Sequence, residues 1–111
     1  MSRKKKGKKK ISPKALEIDQ TLDSALKYHE RGHLEKAKKL YKNILRKYPD
    51  HPDSLHYLGL LEGQLGNNER AHHYLSTSIQ SDPKNPYFYH NTGSFLRDRG
   101  NLDKAVTLYE D

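Results

Sequence analysis

From Ser12 onward, apolar residues return at three- and four-residue steps, the spacing that gathers side chains on one face of a helix. Leu22, Ala25, Leu26 and His29 form the first stripe. Ser12 can cap its start and Pro13 suits the first helical position. Gly32 closes it, since glycine accepts the left-handed backbone that ends a helix. A second stripe, Leu34, Ala37, Leu40, Tyr41, Ile44 and Leu45, is flanked by lysines and Arg46. It ends near Tyr48, because the residue before Pro49 is pushed out of helical backbone. The cycle then returns twice. The pattern predicts helices over about 52–65 and 69–81, then one from Pro86 with Asn85 as its cap, and a last one over 102–111 after a turn at Gly100.

The small residues share one period. Gly32, Gly66 and Gly100 stand 34 apart, as do Ala37, Ala71 and Ala105, and also Ala25, Gly59 and Gly93. Pro49 and Pro83 keep the same step. Several registers on one period indicate a solenoid of antiparallel helix pairs, in which each unit buries a stripe against its neighbours. The units are 18–51, 52–85 and an incomplete 86–111. Leu102, Ala105, Val106 and Tyr109 have no following unit to cover them. We read the chain as a piece of a longer protein, the alternative being a partner, or a second copy of the chain, over that open end.

The body is similar to tetratricopeptide repeat proteins. That family pairs Leu-Gly at positions 7–8 with Ala at 20 and an aromatic at 24. Here positions 7–8 read Ser24-Ala25, Leu58-Gly59 and Thr92-Gly93, position 20 is Ala in every unit, and position 24 is Tyr41, Leu75 and Tyr109. Small residues at 8 and 20 let the two helices of a unit cross closely, since bulk there would force their axes apart. Position 4 is never Trp, and position 11 includes the charged Glu62. The resemblance implies an all-α, right-handed helical solenoid that holds other proteins. A narrower resemblance, carried by His51 through Gly59, is to bacterial repeats that precede glycosyltransferase, sulfotransferase or methyltransferase domains. In the O-linked N-acetylglucosamine transferase-like branch an Asn ladder occupies position 6, and here Asn91 alone matches it.

Composition sharpens this picture. Hydrophobic residues make up 32% of the chain, too few for a thick core but enough for a thin repeat stripe. The absence of cysteine removes disulfides, thiolate catalysis and cysteine zinc sites. Residues 1–14 carry eight basic groups and no acid, so the net charge of +7 belongs to one end. A tail rich in lysine and without an apolar face is expected to be disordered. Ile11 leads straight to Ser12 and Pro13, so no apolar signal-peptide segment follows the basic start. A cytoplasmic protein is the expectation, or a nuclear one in a eukaryote.

The family resemblance places ligands on the concave face, at positions 2, 5, 6, 9, 12 and 13 of each first helix. Asp53, His56, Tyr57, Tyr87, His90, Asn91 and Arg97 are therefore the candidate partner-binding residues. Asp19, Leu22, Asp23, Leu26, His29, Glu30, Leu60, Gln64, Ser94 and Asp98 map to the same face. Tyrosine suits recognition because it buries much area at low entropic cost. The two-carboxylate clamp of chaperone-tail receptors is not matched: its positions hold Leu22, Leu26, Tyr57, Tyr87 and Asn91. Of the seven histidines, His29 and His33 stand four apart, but Gly32 lies between them and no third ligand is obvious, so neither a metal nor a cofactor is expected. No phosphate-cradling loop or nucleophile elbow occurs, and the chain reads as non-enzymatic.

Three functions follow. The first is a scaffold or adaptor that takes a peptide or helix in its concave face. The second is a substrate-recognition piece of a larger transferase. The third is a nucleic-acid or anionic-membrane adaptor driven by Arg3, Lys4, Lys5, Lys6, Lys8, Lys9 and Lys10, which carry no interleaved aromatic for base stacking.

Overall fold

A computed structural model describes residues 12–98. The basic segment Arg3–Lys10, the turn expected at Gly100 and the helix expected over 102–111 lie outside the described residues. Within them stand five helices: α1 (Pro13–Glu30), α2 (Leu34–Lys47), α3 (Pro52–Gln64), α4 (Asn68–Ser81) and α5 (Pro86–Asp98). Each helix packs on its sequence neighbour, and α3 also touches α1 and α5. The result is a layer of α1, α3 and α5 beside a layer of α2 and α4.

The helix ends follow local chemistry. Ser12 Oγ accepts from the Ala15 N–H at 3.0 Å, and Asn85 Oδ1 accepts from the Tyr87 N–H at 3.0 Å. His51 performs the same task for α3, its Nδ1 accepting from the Ser54 N–H at 3.3 Å. Gly32 and Gly66 adopt φ of 83° and 87°. At each, the following N–H reaches back to close the helix, His33 to the Tyr28 carbonyl at 2.9 Å and Asn67 to the Glu62 carbonyl at 2.8 Å.

The repeated small residues sit where the helices meet. Ala25, Ala37, Tyr41, Leu58 and Leu61 form one buried cluster, and Ala71, Leu75, Phe95 and Leu96 a second. At Gly59 a Cβ would come within 2.8 Å of Leu75 Cγ and 3.2 Å of the Ala71 carbonyl oxygen, so α3 and α4 could not stay at their present distance.

Glu62 is one of the departures from the family pattern, and the structure supplies the reason for its charge. Its carboxylate is fully buried, accepts from Asn67 Nδ2 at 2.6 Å, and pairs with Lys38 Nζ at 3.3 Å and Arg70 Nη1 at 3.5 Å. Burial alone would raise its pKa, but Asn67 and the two cations outweigh that and hold it below the usual value. The charge thus ties α2, α3 and α4 together.

Candidate binding groove

One turn of α1, the second half of α3 and the second half of α5 enclose a groove of about 600 Å³. Leu26, His29 and Glu30 come from α1, and Tyr57, Leu60 and Gln64 from α3. Asn91, Ser94, Phe95 and Asp98 come from α5. Most are positions 6, 9 and 13 of their units, which a helical step of three or four places in rows along one face. The position-13 row reads Glu30, Gln64, Asp98, a carboxylate on either side of an amide. Among the described residues, no lysine or arginine lines the groove.

The polar side chains of the wall are held in place. His29 Nε2 meets Gln64 Oε1 at 2.5 Å and His29 Nδ1 meets the Tyr41 hydroxyl at 2.8 Å. With Gln64 Oε1 as acceptor, Nε2 carries the imidazole proton and Nδ1 accepts from Tyr41. Burial, and then the nearby Tyr57, push the Tyr41 pKa up, so its hydroxyl stays a donor. Tyr57 stacks on Tyr41 with ring centres 6.4 Å apart, which fixes the aromatic side of the groove.

On the opposite wall, Asn91 Nδ2 donates to His56 Nε2 at 3.0 Å. That bond leaves the proton of His56 on Nδ1, which has no partner among the described residues. Burial lowers the His56 pKa from the usual 6.5 to about 4, so the ring is neutral near pH 7. It also stacks on Phe88 at 4.5 Å. The amide orientation of Asn91 is thereby set, with its carbonyl oxygen left as an acceptor on the groove wall.

The seven candidate residues separate into three groups. Tyr57 and Asn91 line the groove. His56 does not present a surface: at 1% exposure it is a buried support that acts through Asn91. Asp53, Tyr87 and His90 are exposed but stand outside the groove's lining. Arg97 is exposed too, and donates to Ser94 Oγ at 3.3 Å from outside the lining. The physical reason is that position 2 lies a turn before the groove, while position 5 is rotated about 100° around the helix from position 6, which sets His56 against Phe88 of α5. Phe95, at position 10, was missed. The signal for it was Gly63, whose missing side chain makes its room.

Among the described residues, no group of three or more His, Asp or Glu stands close enough to hold a metal, and no helix is long and apolar enough to cross a membrane.

The comparisons with known proteins agree with the paired helices and their small-residue contacts. Family patterns described as tetratricopeptide repeat match residues 22–51 and 58–111. This chain belongs to the tetratricopeptide repeat family. A curated relative of these repeats is BBSome complex member BBS4 from Bos taurus, 34% identical over 80 residues, covering 72% of this chain and 15% of that protein. Among solved structures, an O-GlcNAc transferase mutant of Thermobaculum terrenum superposes with a TM-score of 0.80 at 26% identity, covering 89% of this chain and 19% of the other. A tetratricopeptide repeat protein of Parabacteroides merdae gives 0.74 at 27% identity, over 84% of this chain and 36% of the other. The chain thus spans a small part of each.

Proposed function

We propose that the groove of α1, α3 and α5 holds an extended segment of a partner protein that carries a lysine or arginine beside an apolar side chain. The observation behind this is the position-13 row, in which Glu30 and Asp98 flank Gln64 with no cation on the lining among the described residues. Leu26, Leu60 and Phe95 offer the apolar contact. Asn91, oriented by His56, accepts a backbone N–H, and Gln64 and Ser94 add polar contacts. Opposite charge at the groove edge selects the partner and speeds its arrival more than it raises affinity.

The test is to pan a random peptide library against the chain and measure the selected peptides by calorimetry. Basic-apolar sequences should emerge, and the double variant Glu30→Lys/Asp98→Lys should bind them at least tenfold more weakly while its circular dichroism is unchanged. Selected peptides without a basic residue, or with equal affinity for that variant, would overturn the reading.

The likeness to the Thermobaculum terrenum transferase supports a second reading, in which these repeats select protein substrates for a transferase domain of a parent protein. Immunoblotting source cells with an antibody to residues 33–48 decides it. A band near 12.9 kDa counts against a parent enzyme, and a much heavier band carrying transferase activity supports one.

A further inference from the structure

A second cleft, of about 510 Å³, opens between α2 and α4 in the other helix layer. Leu45, Leu55, Leu58 and Tyr74 supply an apolar floor, and Lys42, Arg46 and His73 stand among its lining. Among the described residues, no aspartate or glutamate lines it. The groove of the first layer and this cleft therefore carry opposite charge.

The charge here comes from α2, which holds Lys36, Lys38, Lys39, Lys42, Arg46 and Lys47 against the single acid Glu35. Two of these cations are already engaged: Lys38 pairs with buried Glu62, and Lys47 with Glu17 at 2.7 Å. Lys36 lies over the Tyr28 ring at 5.4 Å. Lys39, Lys42 and Arg46 pair with no carboxylate among the described residues. They are exposed, and their three- and four-residue steps set them in one row along the helix. Arg46 is further steadied by donating to Asn43 Oδ1. Of these three cations, Lys42 and Arg46 stand on the lining of the recess.

We propose that the α2–α4 cleft docks an acidic, amphipathic segment of a partner protein, with an apolar side chain on the leucine floor and carboxylates on Lys42 and Arg46. The floor decides the class of occupant. Nucleic acid would use the cations but leave the half-buried Leu45 and Tyr74 of the recess without an apolar partner, because its phosphates bind by charge and carry no apolar anchor. An anionic membrane would call for apolar side chains that protrude, whereas Leu55 and Leu58 are buried and form a recess. An apolar anchor ringed by opposite charge satisfies both parts of the surface, as binding interfaces combine a buried centre with a polar rim. This inference stands apart from the groove and does not depend on its ligand.

The experiment uses the full chain and two fluorescein-labelled 14-residue peptides of equal negative charge. In one, glutamates alternate with leucines at three- and four-residue steps; in the other, serine replaces leucine. Lysines 4–10 attract both peptides alike, so the difference between them reports the cleft. The leucine peptide should bind at least tenfold tighter by fluorescence anisotropy, and Lys42→Glu/Arg46→Glu should abolish that difference. Both positions are exposed, so circular dichroism and the thermal midpoint should stay unchanged. Equal binding of the two peptides, or a preference that survives in the variant, overturns the proposal. Tighter binding of an oligothymidine of matched charge, lost in the same variant, would instead assign the face to nucleic acid.

Discussion

The phenyl ring of Phe95 in α5 lies directly against Gly63 in α3, where a Cβ would stand within 2.9 Å of Phe95 Cδ1 and closer still to Cε1. That contact seats α5 on α3. It also brings Asn91 and Phe95 to the groove, so a backbone without a side chain in one unit sets the wall supplied by the next.

Gly63→Ala is expected to loosen this junction. The helix gains up to about 1 kcal/mol from alanine's better propensity. Displacing a rigid buried ring costs about 1–3 kcal/mol. The net outcome is a loss of about 1 kcal/mol, read as a lower urea midpoint. A rise in the midpoint would show that α5 does not rest on Gly63.

The two turn glycines should behave differently, because the space around them is open. A Cβ at Gly32 or Gly66 meets nothing within 4 Å, yet both residues hold positive φ. Gly66→Ala should cost about 1–2 kcal/mol through backbone conformation alone. Gly66→Asn should cost less, since asparagine tolerates that region. Equal costs in the two variants, measured by urea denaturation, would contradict this account.

Removing a partner of Glu62 should be worse than a surface charge change. Lys38→Ala leaves a fully buried carboxylate with Asn67 and the exposed Arg70, at an expected cost of about 3 kcal/mol. The folded pKa of Glu62 is lowered, so its contribution is present above the unfolded value of about 4.5 and is lost as pH falls through the folded one. Without Lys38 that depression shrinks, and acid unfolding should begin at a higher pH. An acid-unfolding curve of the variant that overlays the wild type would sink the prediction.

His56 should make the fold sensitive to mild acid. Its folded pKa of about 4 lies below the usual 6.5, so the unfolded chain takes up the proton first. The stability tied to neutral His56 is complete above about pH 6.5 and is lost as pH falls toward 4. The size is of order 3 kcal/mol across that window. His56→Gln should flatten the slope of thermal midpoint against pH between 6.5 and 4. The other histidines are common to both proteins, so the difference isolates this ring.

Much of this molecule was legible along the chain. The 34-residue step of small residues, the proline stops and the serine and asparagine caps act through backbone geometry within a few residues. They therefore gave the helices α1 to α5 to within about a residue at their ends, and with them the family. The candidacy of Tyr57 and Asn91 came instead from the family resemblance, which supplied the positions that face a ligand.

What periodicity could not give was how far each helix overlaps the next. That offset buries His56 against Phe88, leaves Asp53, Tyr87 and His90 beyond the groove, and drops Phe95 into the space over Gly63. It also turns Glu62, a misfit in the repeat pattern, into a shared anchor for Lys38, Asn67 and Arg70. Local chemistry chooses where a helix begins and ends. Which side chains meet across helices depends on close packing between units distant in sequence, and only the tertiary structure decides that.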